Sequence, residues 1–216
     1  MSKLYIIATP IGNLEDITLR ALRVLKKVDL VLCEDTRVTK KLLDHYGIKI
    51  PLESYHQHSK LQKTEKIIGL LKSGKNLALV SDSGTPGISD PGNKLVSEVQ
   101  NIAEIISVPG PSAVAAIAGI CGFPMDKFIF LGFPPHKKGR QTFFKELAMY
   151  EYPVIIYESP YRIIKTLNEL KSCGDFDIVV AREITKQFET IYRGKIDEVV
   201  KKINPRGEFV ITLRKV

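Results

Sequence analysis

The chain lacks the marks of a membrane, disulfide-built or zinc-built protein. No apolar run approaches the ~20 residues of a membrane-spanning helix. Among 216 residues there are only three cysteines, Cys33, Cys121 and Cys173, odd in number and far apart. That argues against a disulfide framework or a zinc site and for reduced thiols. The N-terminus passes from Met1-Ser2-Lys3 into a short apolar run with no signal-peptide core, so a cytoplasmic protein is expected. No GxGxxG fingerprint follows the first strand-like run, which speaks against a common dinucleotide-dependent oxidoreductase. GLLKSGKN, at 69–76, narrowly misses the phosphate loop. Asn76 stands where the magnesium-binding hydroxyl belongs, and the segment ends a helix instead of opening one, so Gly74 reads as a C-cap. His56 and His58 are spaced to share a strand face, but no Cys or acidic cluster at suitable spacing completes a ligand set. No metal is expected.

A hydrophobic fraction of 44% marks an ordinary globular protein. Net charge is +8, which suits a polyanionic partner such as nucleic acid but equally a merely well-solvated basic surface.

Strand-like and helix-like runs alternate, the pattern of an α/β fold. Strands are expected at 4–8, 30–33, 77–80 and 105–108, with Asp16 capping the first helix and Gly47 ending the second. A third helix is expected at 63–72. The stiffest breaker, Pro109-Gly110-Pro111, divides the chain into expected domains 1–110 and 111–216. The second half should open on a small-residue helix at 112–121 and carry strands at 128–132, 154–157, 178–181, 190–193 and 209–213. Its helices fit 141–150, 163–171 and 198–203, too few for a crossover between every strand pair, so that sheet should be mixed.

The most informative stretch is LALVSDSGTPGISDPG at 77–92, followed by VPGPSA at 108–113. A buried strand runs into a glycine-rich loop, and Asp90-Pro91 reads as the cap and first residue of a helix. Open α/β sheets place ligands at such strand ends. Gly84 and Gly87 are read as letting a small ligand approach the backbone. Glu34, Asp35 and Arg37 occupy a similar strand end, as either functional groups or a local ion pair. Glu158, Arg162, Arg182 and Glu183 do so in the second half, as either site residues or an interdomain or dimer-interface ion-pair network. Lys137, Lys138 and Arg140 follow Phe133-Pro134-Pro135-His136 on a loop with Gly139, suited to phosphate contact or simply solvated.

Together these segments resemble the tetrapyrrole (corrin/porphyrin) methylase superfamily. Within it the chain is most similar to the branch that methylates a ribose 2′-oxygen of a decoding-centre cytidine in small-subunit (16S) ribosomal RNA. The resemblance is carried by IATPIGNLEDIT (7–18), CEDTR (33–37), VSDSGTPGISDPG (80–92), VPGPSA, GFPP (132–135), YESPYR (157–162), AREITK (181–186) and GEFVI (207–211). It implies two α/β domains, the first with a mainly parallel sheet and the second mixed, with S-adenosylmethionine (AdoMet) in a cleft between them, and a homodimer. By position the cofactor would contact Pro10, Ile11, Gly12, Asp82, Gly84, Thr85, Pro86, Ile88, Ser112 and Ala113. Arg37, Lys137, Lys138, Arg140, Arg162, Arg182 and Glu183 would serve the RNA. Thr85 replaces the aspartate of the Gly-Asp-Pro carried by corrin and porphyrin methylases, which favours the RNA branch. Many members of that branch continue into a helical C-terminal extension that has no counterpart in this sequence.

The sulfonium of AdoMet makes its methyl carbon electrophilic, so the main task is aligning the 2′-oxygen with it. Asp35, Glu34 and Glu158 are the candidates for accepting the hydroxyl proton, and the sequence does not choose among them. Two rival readings are a tetrapyrrole C-methyltransferase and a non-catalytic RNA-binding assembly protein.

Overall fold

The computed structural model describes residues 1–56, 61–90 and 92–216, so His58 and Pro91 lie outside the described residues. The chain divides into two compact units, Met1–Ser112 and Ala113–Val216.

The first unit is a parallel sheet with helices on both faces. Its strands are β1 (Lys3–Ile7), β2 (Leu30–Cys33), β3 (Leu52–Ser54), β4 (Leu77–Val80) and β5 (Glu104–Val108), in the order β3-β2-β4-β1-β5. Its helices are α1 (Leu19–Leu25), α2 (Thr36–His45), α3 (Leu61–Lys72) and α4 (Asn93–Val99). Alternate residues of one strand feed opposite cores. Ala78 and Val80 pack with Ala21, Leu25, Leu42 and Leu43. Leu77 and Leu79 pack with Ile67, Leu71, Leu95 and Val99. Burial on both faces is why β2 and β4 read as unbroken apolar runs.

Two helix starts differ from expectation. Asp16 closes a single 3-10 turn (Leu14–Asp16), and Thr18 caps α1 by accepting from the Ala21 N–H at 3.0 Å. α4 begins after Gly92 with no side-chain cap, and Asp90 turns to another task described below. β3, three residues with Glu53 at its centre, was not expected at all. His56 lies beyond its end.

The second unit carries α5 (Ala113–Ile120), β6 (Ile129–Phe130), α6 (Arg140–Leu147), β7 (Val154–Glu158), α7 (Ile163–Lys171), β8 (Phe176–Arg182), β9 (Thr190–Lys195), α8 (Ile196–Lys202) and β10 (Phe209–Lys215). The sheet order is β6-β7-β10-β8-β9. Only β6 and β7 pair in parallel; β10 is antiparallel to β7 and β8, and β9 to β8. The sheet is therefore mixed, as the missing crossovers imply. One face, with Ile156, Val180 and Ile211, packs on Phe144, Leu167, Leu170 and Val199 of α6, α7 and α8. The other, with Ile155, Ala181 and Val210, packs on Ile117 of α5. Arg193 donates to the carbonyls of Ile120 and Cys121, satisfying acceptors that a helix C-terminus leaves open.

Among the described residues, no helix is long and apolar enough to cross a membrane. The capping assignment has a direct check. Thr18→Ala should cost about 1 kcal/mol in urea denaturation. Asp16→Ala should cost close to nothing, and equal costs would return the cap to Asp16.

Candidate active site

The loops leaving β1, β4 and β5 are bound to one another at the carboxyl edge of the first sheet. Thr9 and Gly84 exchange backbone hydrogen bonds, N–H to O at 2.9 Å and 3.1 Å, and the Thr9 hydroxyl donates to the Ser81 carbonyl at 2.9 Å. The Thr85 hydroxyl donates to the Pro111 carbonyl at 3.2 Å, joining the β4 loop to the turn after β5. Gly84 has φ +85°, and a Cβ there would stand 3.3 Å from Ile11 Cγ2 and 3.7 Å from the Pro111 oxygen. Its positive φ and this close approach of loop to loop both favour glycine. Gly87, at φ +87°, is likewise occupied: a Cβ there would collide with the Asn93 side chain.

Around this junction stand the carboxylates of Glu34, Asp82 and Asp90. The Ser81 hydroxyl lies 2.6 Å from Asp90 Oδ2 and 3.4 Å from Glu34 Oε1. Asp82 accepts the Asp35 N–H at 3.0 Å, bringing the ends of β2 and β4 together. Burial pushes the Glu34 carboxyl above its ordinary range, and the charges of Asp90 and Asp82 push it further. Burial also raises Asp90, against the hydrogen bond from Ser81. Among the described residues, no ion pair reaches Glu34, Asp82 or Asp90, and no such group of side chains is placed to hold a metal ion.

Asp35 is different. Arg37 donates to it through Nε (3.0 Å) and Nη2 (2.6 Å), and Asp35 also caps α2 by accepting the Arg37 N–H at 2.8 Å. The Arg37 side chain, then its backbone N–H, hold Asp35 at about 2. A carboxylate so acidic is a poor proton acceptor, so of the two neighbours Glu34 is the stronger base.

In the second unit Glu158 is enclosed. Its side chain is 0% exposed and faces two guanidiniums, Arg162 at 2.8 Å and Arg140 at 3.8 Å. Thr166 donates to Glu158 while accepting from Arg140, which also pairs with Glu169 at 2.7 Å. Arg140 donates to the Pro135 carbonyl and Arg162 to that of Pro134, both at 2.9 Å. These donors are spent inside the protein, which corrects three expectations. Glu158 is not open to a substrate proton, and Arg140 and Arg162 hold a loop in place of contacting RNA. Sequence carried the signal in both elements. Arg140, Phe144 and Leu147 recur at the spacing of one buried helix face, and Glu158 alternates in phase with Val154 and Ile156. Arg182 donates to the carbonyls of Arg206 and Phe188, and Glu183 accepts from Lys186 and the Glu208 N–H, so both also serve the fold. Lys137 and Lys138 are exposed and form no ion pair among the described residues.

The expected cofactor residues of the first unit fall on these same loops: Pro10, Ile11 and Gly12 after β1, Asp82 to Ile88 after β4, and Ser112 after β5. Ala113 opens α5 of the second unit. Thr9, Ser81 and Asp90 join the site without having been singled out for it, Asp90 because Asp-Pro before a helical run resembles a cap.

Residues 3–200 match the family model of the Tetrapyrrole (Corrin/Porphyrin) Methylases. The chain belongs to this family. It is 45% identical to Ribosomal RNA small subunit methyltransferase I of Thermotoga maritima, over 99% of this chain and 98% of that one. It is 44% identical to the protein of the same name from Bacillus subtilis, over 99% of this chain and 75% of that one. Among solved structures, diphthine synthase superposes with a TM-score of 0.78 at 14% identity, covering 100% of this chain and 91% of that one. Cobalt precorrin-4 methyltransferase gives 0.71 at 21%, covering 98% and 94%. Those two share the fold of the family. Membership of the tetrapyrrole methylases implies use of AdoMet.

The unpaired carboxylates carry a pH signature. A carboxyl raised above its ordinary value of 4.5 binds protons more readily folded than unfolded, so its contribution to stability falls as pH rises through that window. Glu34→Gln should therefore melt above the parent at pH 7, with the gain fading as pH falls into the ordinary carboxylate range. A variant that gains nothing at neutral pH would mean that Glu34 is not held under strain.

Proposed function

We propose that this chain is an AdoMet-dependent methyltransferase that modifies the ribose 2′-oxygen of a cytidine in small-subunit (16S) ribosomal RNA. The reading is carried by one observation, the match along almost the whole chain to proteins named Ribosomal RNA small subunit methyltransferase I. It acts in the cytoplasm as a homodimer.

The cofactor is assigned to the loops of the first domain (1–110) and the junction Ser112-Ala113 that follows it, and the RNA contacts to Arg37 of the first domain and to Lys137 and Lys138 of the second (111–216). AdoMet carries a sulfonium and an ammonium, and the strand ends of the first unit present Glu34, Asp82 and Asp90, which form no ion pair among the described residues. In a chain of net charge +8 that local surplus of negative charge suits a cationic ligand. Pro10, Ile11, Gly12, Gly84, Thr85, Pro86 and Ile88 would hold it, with Ser112 and Ala113 beside them. Bound there, AdoMet supplies an electrophilic methyl group. Glu34 would accept the ribose hydroxyl proton, since burial and like charge make it the better base. Arg37, exposed beyond its bond to Asp35, would meet the substrate phosphate, and Lys137 and Lys138 would meet others.

The test is transfer of labelled methyl from AdoMet to small-subunit particles that lack the modification. One 2′-O-methylcytidine is expected, with uroporphyrinogen-like macrocycles left unmodified. Modification of the macrocycle would favour the tetrapyrrole reading, and absence of AdoMet binding by calorimetry would favour a non-catalytic assembly protein. Lys137→Ala with Lys138→Ala should flatten the salt slope of RNA binding by roughly 0.7–0.9 per lost phosphate contact. AdoMet affinity should stay unchanged. An unaltered slope would remove the loop from the RNA contacts. Arg140 is left out of this variant because its loss would uncage the buried Glu158. Light scattering should give a dimer mass.

A further inference from the structure

Two large aromatic side chains of the second unit point into solvent beside the basic loop. Phe133 is 52% exposed and Tyr161 95% exposed, among the most solvent-facing large rings in the chain. Each immediately precedes one end of the same hydrogen bond, Arg162 Nη1 to the Pro134 carbonyl at 2.9 Å. Arg162 is in turn fixed by the fully enclosed Glu158 at 2.8 Å. The Phe133 ring meets Tyr157 edge-to-face at 5.3 Å between centroids, which fixes its position and leaves about half of it uncovered. Exposed rings on a braced backbone, next to Lys137 and Lys138, which form no ion pair among the described residues, combine the elements that bind single-stranded nucleic acid. Bases stack on the rings while cations follow the phosphates.

We propose that Phe133 and Tyr161 form a stacking subsite for unpaired RNA bases, with Lys137 and Lys138 holding the adjoining phosphates. This rests on the RNA-methylating reading and adds to it the state of the substrate, unpaired strand next to the modified nucleotide. Because every base has a π-face, the subsite tolerates any sequence, and its contribution is largely independent of salt.

The chain has no tryptophan, so Tyr161→Trp creates a single reporter at the subsite. Its fluorescence should be quenched on titration with a single-stranded oligoribonucleotide and far less with the same sequence as a duplex. Phe133→Ala and Tyr161→Ala should each weaken binding of that oligonucleotide roughly 5- to 150-fold with the salt slope preserved. The lysine double variant should lower the slope instead. Tyr161→Ala should retain the parent melting temperature, Phe133→Ala should lose at most its edge contact with Tyr157, and both should keep the parent AdoMet affinity. No quenching by the single strand, or unaltered affinity in both alanine variants, overturns the subsite. A tryptophan emission that shifts to the blue with protein concentration in the absence of RNA also overturns it, by assigning the patch to a second copy. Methyl transfer to particles that persists alongside either failure leaves the enzyme reading standing, which keeps the two failures distinguishable.

Discussion

The second unit is organised around one enclosed negative charge. Glu158 would be untenable alone, because removing a carboxylate from water costs several kcal/mol, ~20 in the idealised limit. It is tolerated because Arg140, Arg162, Thr166 and the Ser159 N–H surround it with donors. The same guanidiniums then have bonds to spare for the carbonyls of Pro134 and Pro135. Two prolines without N–H groups cannot knit a loop by their own donors. The loop that displays Lys137 and Lys138 is therefore held from below, by charge buried beneath it.

The first unit uses the opposite arrangement. At the ends of β2 and β4, Asp35 is held by Arg37, but Glu34, Asp82 and Asp90 form no ion pair among the described residues, and burial and mutual repulsion raise Glu34 and Asp90. The enclosed carboxylate of the second unit is paired, and Glu34, Asp82 and Asp90 of the first form no ion pair among the described residues. That contrast fits a division in which the first presents negative groups to a cationic cofactor and the second presents free lysines to a polyanion. Perturbed carboxylates gathered at strand ends are a frequent mark of function, because a fold selected for stability alone would neutralise them.

How far the sequence could be read follows from the physics of each element. β2 and β4 begin and end where the apolar runs do, since burial on both faces leaves no polar residue to blur the limits. The mixed second sheet was legible from the shortage of crossovers. β3 was not, because an edge strand of three residues around Glu53 carries no apolar pattern. Asp90 was misread because the chemistry that caps a helix and the chemistry that binds a serine hydroxyl use the same carboxylate. Arg140 was misread because Lys-Lys-Gly-Arg looks like one run of cations, although its last member starts a helix and faces inward. The loops that gather the first unit's site were legible as motifs. The tie between Thr9 and Gly84 was not, since backbone pairing between distant loops leaves no trace in side-chain identity.

That tie has a consequence for recognition. A flexible glycine-rich loop that orders itself only around a ligand gives up conformational entropy at the moment of binding, and affinity falls accordingly. Here the β1 and β4 loops are already clasped through both backbone amides of the Thr9–Gly84 pair. The ordering cost was met during folding. A ligand arriving at these strand ends meets a receptor whose shape precedes it, so little of its binding energy goes into ordering these two loops and more is left for holding the ligand in alignment.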